Sequence, residues 1–321
     1  MASSTGTGTG RGVAILGIYV ADLAFRARHM PGVGETIAGS GFAMGPGGKG
    51  SNQAVAAARA GAKVDFITAI GNDAFGAQAL ALWQADGITP RVRQVDSHPT
   101  GAAFIYVNED NGDNAIIVVA GAAGLIGEAD VAAAADVIAG ARVFVTQLEH
   151  PAGAALAALR IARAAGTITV FNPAPALPFD DAIYPLCDFI TPNEHEAALL
   201  TGLPVTTLDE ARAAGDVLLS RGVGCALITL GAQGALLHGR DESLLVAPFS
   251  AGPVVETTGA GDAFNGGFAA ALAEGATPRE AARFASALAA ISVTRAGTAP
   301  SMPARADIDA LLARSACAAA S

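Results

Sequence analysis

The stretch Ser51 to Gly87, SNQAVAAARAGAKVDFITAIGNDAFGAQALALWQADG, sets one alanine-rich segment before the run VDFITAIG and another after it. Amphipathic segments on either side of a short β-branched run mark helix, strand, helix. The rhythm extends outward in both directions. Upstream stands VAILGIYV, and downstream come ARVFVTQLE, AALAALRIARAAG, TITVFN, DFITPNE, LDEARAAGDVLLSRG and CALITLG. Such alternation predicts an α/β fold, a doubly wound, mostly parallel sheet flanked by helices on both faces. Ligands of these sheets bind beyond the carboxyl ends of the strands. Asp22, Glu149, Asn172, Asn193 and Thr229 directly follow strand runs and are candidates for that end.

Two pieces break the rhythm. ETIAGSGFAMG (Glu35–Gly45) and TGAAFIYVNEDNGDNAIIVVAG (Thr100–Gly121) are strand-like with no helix between, and NEDNGDN reads as a hairpin turn. They predict a small antiparallel β lid inserted at residues 35–45 and 100–121. An open apolar sheet face needs cover from substrate, from the main sheet or from a second copy, so a homodimer through the lid sheet is expected. The opening MASSTGTGTGRG has neither the charged nor the apolar region of a secretory signal, and residues 1–11 read as a disordered tail. Residues 12–315 then form one α/β domain.

With 52% hydrophobic and 15% charged residues over 321 positions, the chain has ample material for a core. Its long apolar stretches are interrupted by charges or glycine and are rich in alanine, which argues against a membrane span. Cys187, Cys225 and Cys317 lie far apart, suggesting neither a disulfide framework nor a zinc site and favouring a reducing, cytoplasmic setting. A net charge of -10 argues against a nucleic-acid partner, since phosphate backbones select basic surfaces. Any phosphate must be held locally.

Four motifs could carry chemistry. In TTGAGDAFNGGF (Thr257–Phe268), Asp262 sits where a glycine turn enters an apolar helix. It either caps backbone N–H groups or acts as a base beside an anion held by Gly259, Ala260 and Gly261. GPGGKGSN (Gly45–Asn52) fits neither a dinucleotide fingerprint nor a P-loop, because the glycines follow a lid strand and Gly50 stands where Ser or Thr should follow the lysine. It is either a turn of N–H groups beside Lys49 and Asn52 suited to a polyhydroxylated ligand, or a glycine turn with a solvated lysine. TPNEHEA puts Asn193 and Glu196 on one helical face, as a cap or a metal-water site. ITLGAQGAL offers Thr229, Gly231 and Gly234 as a nucleotide loop or a hairpin. His195, Tyr19 and Trp83 read as surface or core residues.

Taken in order, GGKGSNQAVAAARAGA, NPAPA, TPNEHEA, TLGAQG, TTGAGDAFNGGF and AISVTRAGTAPSMP resemble the PfkB sugar kinases, the ribokinase branch most closely. The resemblance runs from about Val13 to Leu312. It implies ATP-dependent phosphorylation of the primary 5-hydroxyl of a pentose, D-ribose first, with Asp262 as base and residues 259–261 as anion hole. Asp22, Gly48, Lys49, Asn52 and Glu149 would bind sugar, and Asn193, Thr229, Gly231, Gly234 and Gly261 the nucleotide. Asn193 and Glu196 match the pair that organises magnesium-bound water. Glu256, Thr258, Ser292, Arg295, Gly297 and Ser301 match a potassium site, partly through backbone carbonyls. Two positions depart from the family: Val20 replaces a sugar-binding asparagine, and Glu256 replaces an aspartate. The first leaves 2-deoxyribose, another sugar or a nucleoside open as substrate. A catalytically idle sugar-binding regulator on the same fold is the rival outside enzymology, and the intact GAGD turn argues against it.

Overall fold

The computed structural model describes residues 12–320, so the tail expected over 1–11 lies outside the described residues. In chain order its strands and helices begin with β1 (Val13–Leu16), β2 (Val20–Ala27), β3 (Gly41–Gly47), α1 (Lys49–Arg59), β4 (Val64–Gly71), α2 (Ala74–Ala85) and β5 (Thr89–Val95). Then follow β6 (Thr100–Asn108), β7 (Asn114–Gly121), α3 (Glu128–Ala133), α4 (Ala135–Gly140), β8 (Val143–Thr146), α5 (Ala152–Ala165) and β9 (Ile168–Phe171). The last are β10 (Phe189–Ile190), α6 (Glu194–Thr201), α7 (Leu208–Ser220), β11 (Cys225–Thr229), β12 (Ala235–Gly239), β13 (Ser243–Val246), α8 (Ala260–Glu274), α9 (Pro278–Ser292) and α10 (Arg305–Ala320).

The main sheet has the order β13-β12-β11-β10-β9-β8-β1-β4-β5. It is parallel from β11 to β5, and only the edge pairings β11–β12 and β12–β13 are antiparallel. Alternation along β1 feeds two cores. Val13 and Ile15 pack with α1, α2, α8 and α9 on one face, while Ala14 and Leu16 pack with α5 and α7 on the other. Trp83 belongs to the first core. It is fully buried, donates to Ser51 Oγ at 2.9 Å and meets the Tyr19 ring edge-on, so both aromatics are structural.

A second, four-stranded sheet has the order β3-β2-β6-β7. It corrects the sequence reading in three ways. The run VAILGIYV is not one strand: it breaks at Gly17–Tyr19, and β2 crosses into the lid. Both halves are buried, so the apolar pattern carries no trace of the change of sheet. Asp22 therefore lies within a lid strand instead of following a main-sheet strand. The strand expected over 35–45 is displaced to Gly41–Gly47. The lid is also not wholly antiparallel, because β2 pairs parallel with β6 while the outer pairs are antiparallel. Both central strands enter it from the same end of the main sheet, β2 after β1 and β6 after β5, and so run the same way. The hairpin read at NEDNGDN joins β6 to β7, closed by Asn108 N–H to Asp113 O at 2.7 Å.

On the lid, Phe25, Phe42, Met44, Ile117 and Val119 are exposed, and the Phe25 and Phe42 rings lie 5.0 Å apart. Among the described residues no helix is long and apolar enough to cross a membrane. What positions the functional end is the contact of α1 with α8. Gly266 of α8 lies so close that a Cβ there would stand 2.5 Å from the Gln53 carbonyl and 2.6 Å from the Ala56 methyl. Only a residue without a side chain admits that approach.

Candidate active site

Helix α8 opens after Gly259, which supplies no side-chain cap, and Asp262 is its third residue. The carboxylate is 6% exposed and accepts nothing from its own helix. Its partners come from α1: Asn52 Nδ2 donates to Oδ2 at 3.0 Å, and Gln53 Nε2 to Oδ1 at 3.1 Å. This disposes of the capping explanation. Burial pushes the Asp262 carboxyl up, while the Lys49 charge and the two amides pull it back down.

Lys49 is the first residue of α1, placed by Gly48, whose φ of 87° and close approach to the Ile18 carbonyl suit glycine alone. Its backbone N–H donates to Glu149 Oε2 at 2.6 Å. Burial works against the ammonium charge, but Asp262, Glu149 and Glu196 outweigh it and hold the lysine above its ordinary value. The bland reading of a solvated lysine therefore fails. The acids around it feel the crowding. Burial, then Asp262 and Glu256, push Asp22 up to about 6, and Glu149 is raised to about 7, chiefly by burial, with Asp262 and Asp22 adding to it against the pull of Lys49.

A cleft of about 150 Å³ lies against this cluster. Lys49, Asn193, Glu196, Thr229, Gly259, Gly261 and Asp262 line it, together with Asn172, Ala174, Thr191 and Asn265. Ala260 N–H already donates to the Thr257 carbonyl at 3.1 Å, whereas Gly261 faces open space. Gly231 and Gly234 do not line the cleft. They shape the β11–β12 connection, where Leu230 N–H donates to Gly234 O at 2.8 Å, so the hairpin reading holds there.

Asn193 and Glu196 form a reciprocal capping box, Asn193 Oδ1 accepting from Glu196 N–H at 2.8 Å and Glu196 Oε2 from Asn193 N–H at 2.9 Å. The cap occupies Asn193 Oδ1 and Glu196 Oε2 and leaves Glu196 Oε1 outside it, and both residues line the cleft. Glu256 Oε2 accepts from Gly297 N–H at 2.8 Å, which ties the segment before α8 to the one after α9. Near it the Ser292 and Ser301 hydroxyls donate to the Ala289 and Thr298 carbonyls, and the Arg295 guanidinium turns away to Asp307. Thr258 is exposed.

Four polar residues here were not read from the sequence: Gln53, Gln147, Thr191 and Asn265. Thr191 Oγ1 donates to Asn265 Oδ1 at 2.6 Å, and Asn265 Nδ2 to the Gly261 carbonyl at 2.9 Å. The spacing of Asn265 from Asp262, three residues along one helix, was the available signal. Asn52 Oδ1 is buried with no hydrogen-bond partner, an unmet acceptor beside Asp262.

Comparison with known proteins agrees with this geometry. The pattern of the pfkB family carbohydrate kinase matches residues 11–305. The chain belongs to the PfkB family of carbohydrate kinases. A ribokinase of Haemophilus influenzae is 40% identical over 292 residues, spanning 91% of this kinase and 95% of the relative. A deoxyribokinase of Salmonella typhi is 38% identical over 293 residues, spanning 91% and 95%. The structure of Arabidopsis thaliana ribokinase complexed with ribose and ATP superposes with a TM-score of 0.88 at 30% identity, covering 95% of this kinase and 99% of that chain.

The raised acid of Glu149 gives this kinase a pH signature. Its folded value, about 7, lies above the ordinary 4.5, so the folded state holds a proton that the unfolded chain has released. The resulting stability is complete below about pH 4.5 and lost as pH climbs through about 7. Glu149→Gln removes that titration and keeps an oxygen for the Lys49 N–H. Thermal melts of the ligand-free protein should show the variant gaining on wild type as pH rises from about 4.5 to 8, in line with the raised folded value. A difference in melting temperature that does not change with pH would show that Glu149 is ionised throughout.

Proposed function

We propose that this kinase transfers the γ-phosphoryl group of ATP to the primary 5-hydroxyl of a pentose, D-ribose first. The observation that carries the assignment is the Asp262 carboxylate, buried at the N-terminus of α8 and not used as a cap. Asp262 takes the hydroxyl proton, the freed oxygen bonds to the γ-phosphorus, and the bond to the β-γ bridging oxygen breaks to release ADP. Gly259 and Gly261 offer N–H groups to the transferred group at the positive end of the helix, with Ala260 shaping the turn. Asp22, Gly48, Lys49, Asn52 and Glu149 bind the sugar, and the orphaned Asn52 Oδ1 suits a hydroxyl donor. Asn193 and Thr229 border the nucleotide, with Gly231 and Gly234 holding the loop behind them. The Haemophilus and Arabidopsis relatives support ribose and ATP as the substrate pair.

Magnesium arriving with ATP would offset the negative charge of the triphosphate. Asn193 and Glu196 would hold it through water, and Glu196 Oε1, free of the cap, fits that use. A potassium ion would use Glu256, Thr258, Ser292, Arg295, Gly297 and Ser301. The side-chain bonds of Ser292, Ser301 and Arg295 leave backbone oxygens as donors there, the hard chemistry such an ion prefers. The enzyme is further proposed to be one α/β domain working as a cytoplasmic homodimer. The exposed Phe25, Phe42 and Ile117 support pairing through the lid.

Asp262→Asn keeps the shape of the site and loses the base. Turnover should fall at least about a hundredfold, the low end for general-base catalysis, while sugar and ATP still bind in calorimetry. A variant holding more than about a tenth of wild-type turnover would remove Asp262 from the role, since that loss is far below the general-base range.

Val20 favours a second reading, 2-deoxyribose. It is 3% exposed and apolar where the family carries an asparagine that meets a ring hydroxyl, and the Salmonella relative is a deoxyribokinase. An apolar wall rejects an added hydroxyl by only about a hundredfold, so kcat/KM for ribose and 2-deoxyribose should differ by no more than roughly that factor. Val20→Asn should widen the preference for ribose. The same ratio in both proteins would mean that Val20 does not face the hydroxyl and serves the core beside Gly101, its partner in β6.

A further inference from the structure

Gln53 and Gln147 are both fully buried at the functional end of the main sheet, and neither packs as an apolar residue would. Gln53 projects from the second turn of α1, and Gln147 follows β8. Three of the four bonding positions of the Gln53 amide are taken, both N–H groups and one lone pair of the oxygen. Its Nε2 donates to Asp262 Oδ1 at 3.1 Å and to Asn172 Oδ1 at 3.2 Å, and its Oε1 accepts from Gln147 Nε2 at 2.5 Å.

The direction of this chain is set from its far end. Asn172 Nδ2 donates to the Thr191 backbone carbonyl at 2.9 Å, and a carbonyl can only accept. Asn172 must therefore turn its oxygen to Gln53, Gln53 must turn its nitrogen to Asn172 and Asp262, and its oxygen is left for Gln147. A backbone carbonyl on β10's exit thus dictates that the acid of α8 meets an N–H and not a lone pair. With Asn52 on the other oxygen, both oxygens of Asp262 have one donor each, and the carboxylate plane is held.

We propose that Gln53, anchored by Gln147 and Asn172, is the positioning residue that fixes the Asp262 carboxylate for proton transfer. The inference rests on Asp262 being the base. Positioning matters because proton transfer and in-line attack need the acceptor lone pair aimed at the hydroxyl, and misplacement by about an ångström can cost on the order of a hundredfold. Two neutral donors also favour the ionised carboxylate in a site where burial disfavours it. The charged groups facing Asp262 are Lys49 on α1, Asp22 on β2, Glu149 after β8 and Glu196 on α6. None of them contacts the oxygen that Gln53 holds.

Gln53→Met replaces the amide with an apolar chain of similar length. Turnover should fall about tenfold or more, and the acid limb of kcat against pH should move up by about one unit, the loss of one hydrogen bond to a charged group. KM for ATP should stay within about twofold, because Gln53 touches the base and not the nucleotide cleft. Gln147→Met keeps Gln53 but removes its anchor, and should shift both quantities the same way by less. A lower melting temperature with kcat per folded molecule and acid limb unchanged would reduce Gln53 to a packing residue and overturn the proposal. If Gln53→Met does not fold, Gln147→Met decides on the same two readouts, an unmoved limb and turnover within twofold counting against. Asp262→Asn, assayed alongside, separates the failures. An active Asp262→Asn sinks the base itself, whereas an inactive one beside a fully active Gln53→Met sinks only the positioning role.

Discussion

Everything at the functional end depends on one buried carboxylate held by two amides from a neighbouring helix. Asp262 is 6% exposed, and an ionised acid at such depth is stable only with partners. Its own helix offers none. Asn52 and Gln53 supply them, and they reach it because α1 and α8 touch backbone to backbone at Gly266. The same contact delivers Lys49 to the mouth of the site. The packing of two helices therefore sets the geometry of the acid, of its counter-charge and of the free N–H groups of the α8 turn.

Around that core the charge is unbalanced. Lys49 answers Asp262, Glu149 and Glu196 together, and Asp22 is raised by burial first and then by neighbouring carboxylates. A site with surplus acceptors and an orphaned Asn52 oxygen is matched to a ligand rich in hydroxyl donors. Its opposite side has different chemistry, an open Gly261 at the head of a helix, ready for an anion. Lys49 and Asp262 line the same cleft as Gly259 and Gly261, so the buried acid and the anion-accepting turn stand next to each other.

Much of this was legible in the chain. The strand and helix runs around VDFITAIG place β4 at Val64–Gly71 and α1 and α2 beside it, because helical and strand periods differ and loops carry glycine. Asp262 stood out as an acid in a glycine turn. The lid was harder. VAILGIYV is apolar through both of its sheets, and no local pattern tells that Val20 has left one sheet for another. The parallel pairing of β2 with β6 follows from where both strands exit the main sheet, a fact of topology with no local code. Gln53 and Gln147 were invisible for a related reason. They lie 94 residues apart, and a buried glutamine reads as a surface residue until its partners are in place.

The carboxylate of Asp262 is proposed to deliver the primary hydroxyl of a pentose to the γ-phosphate of ATP. Nuclear magnetic resonance of the product formed from ATP and ribose, or 2-deoxyribose, tests it directly. One ADP is expected for each sugar phosphate, with phosphorus coupled to the protons of the terminal carbon. Phosphate on the anomeric oxygen, or ADP released with no sugar phosphate from either pentose, would contradict it.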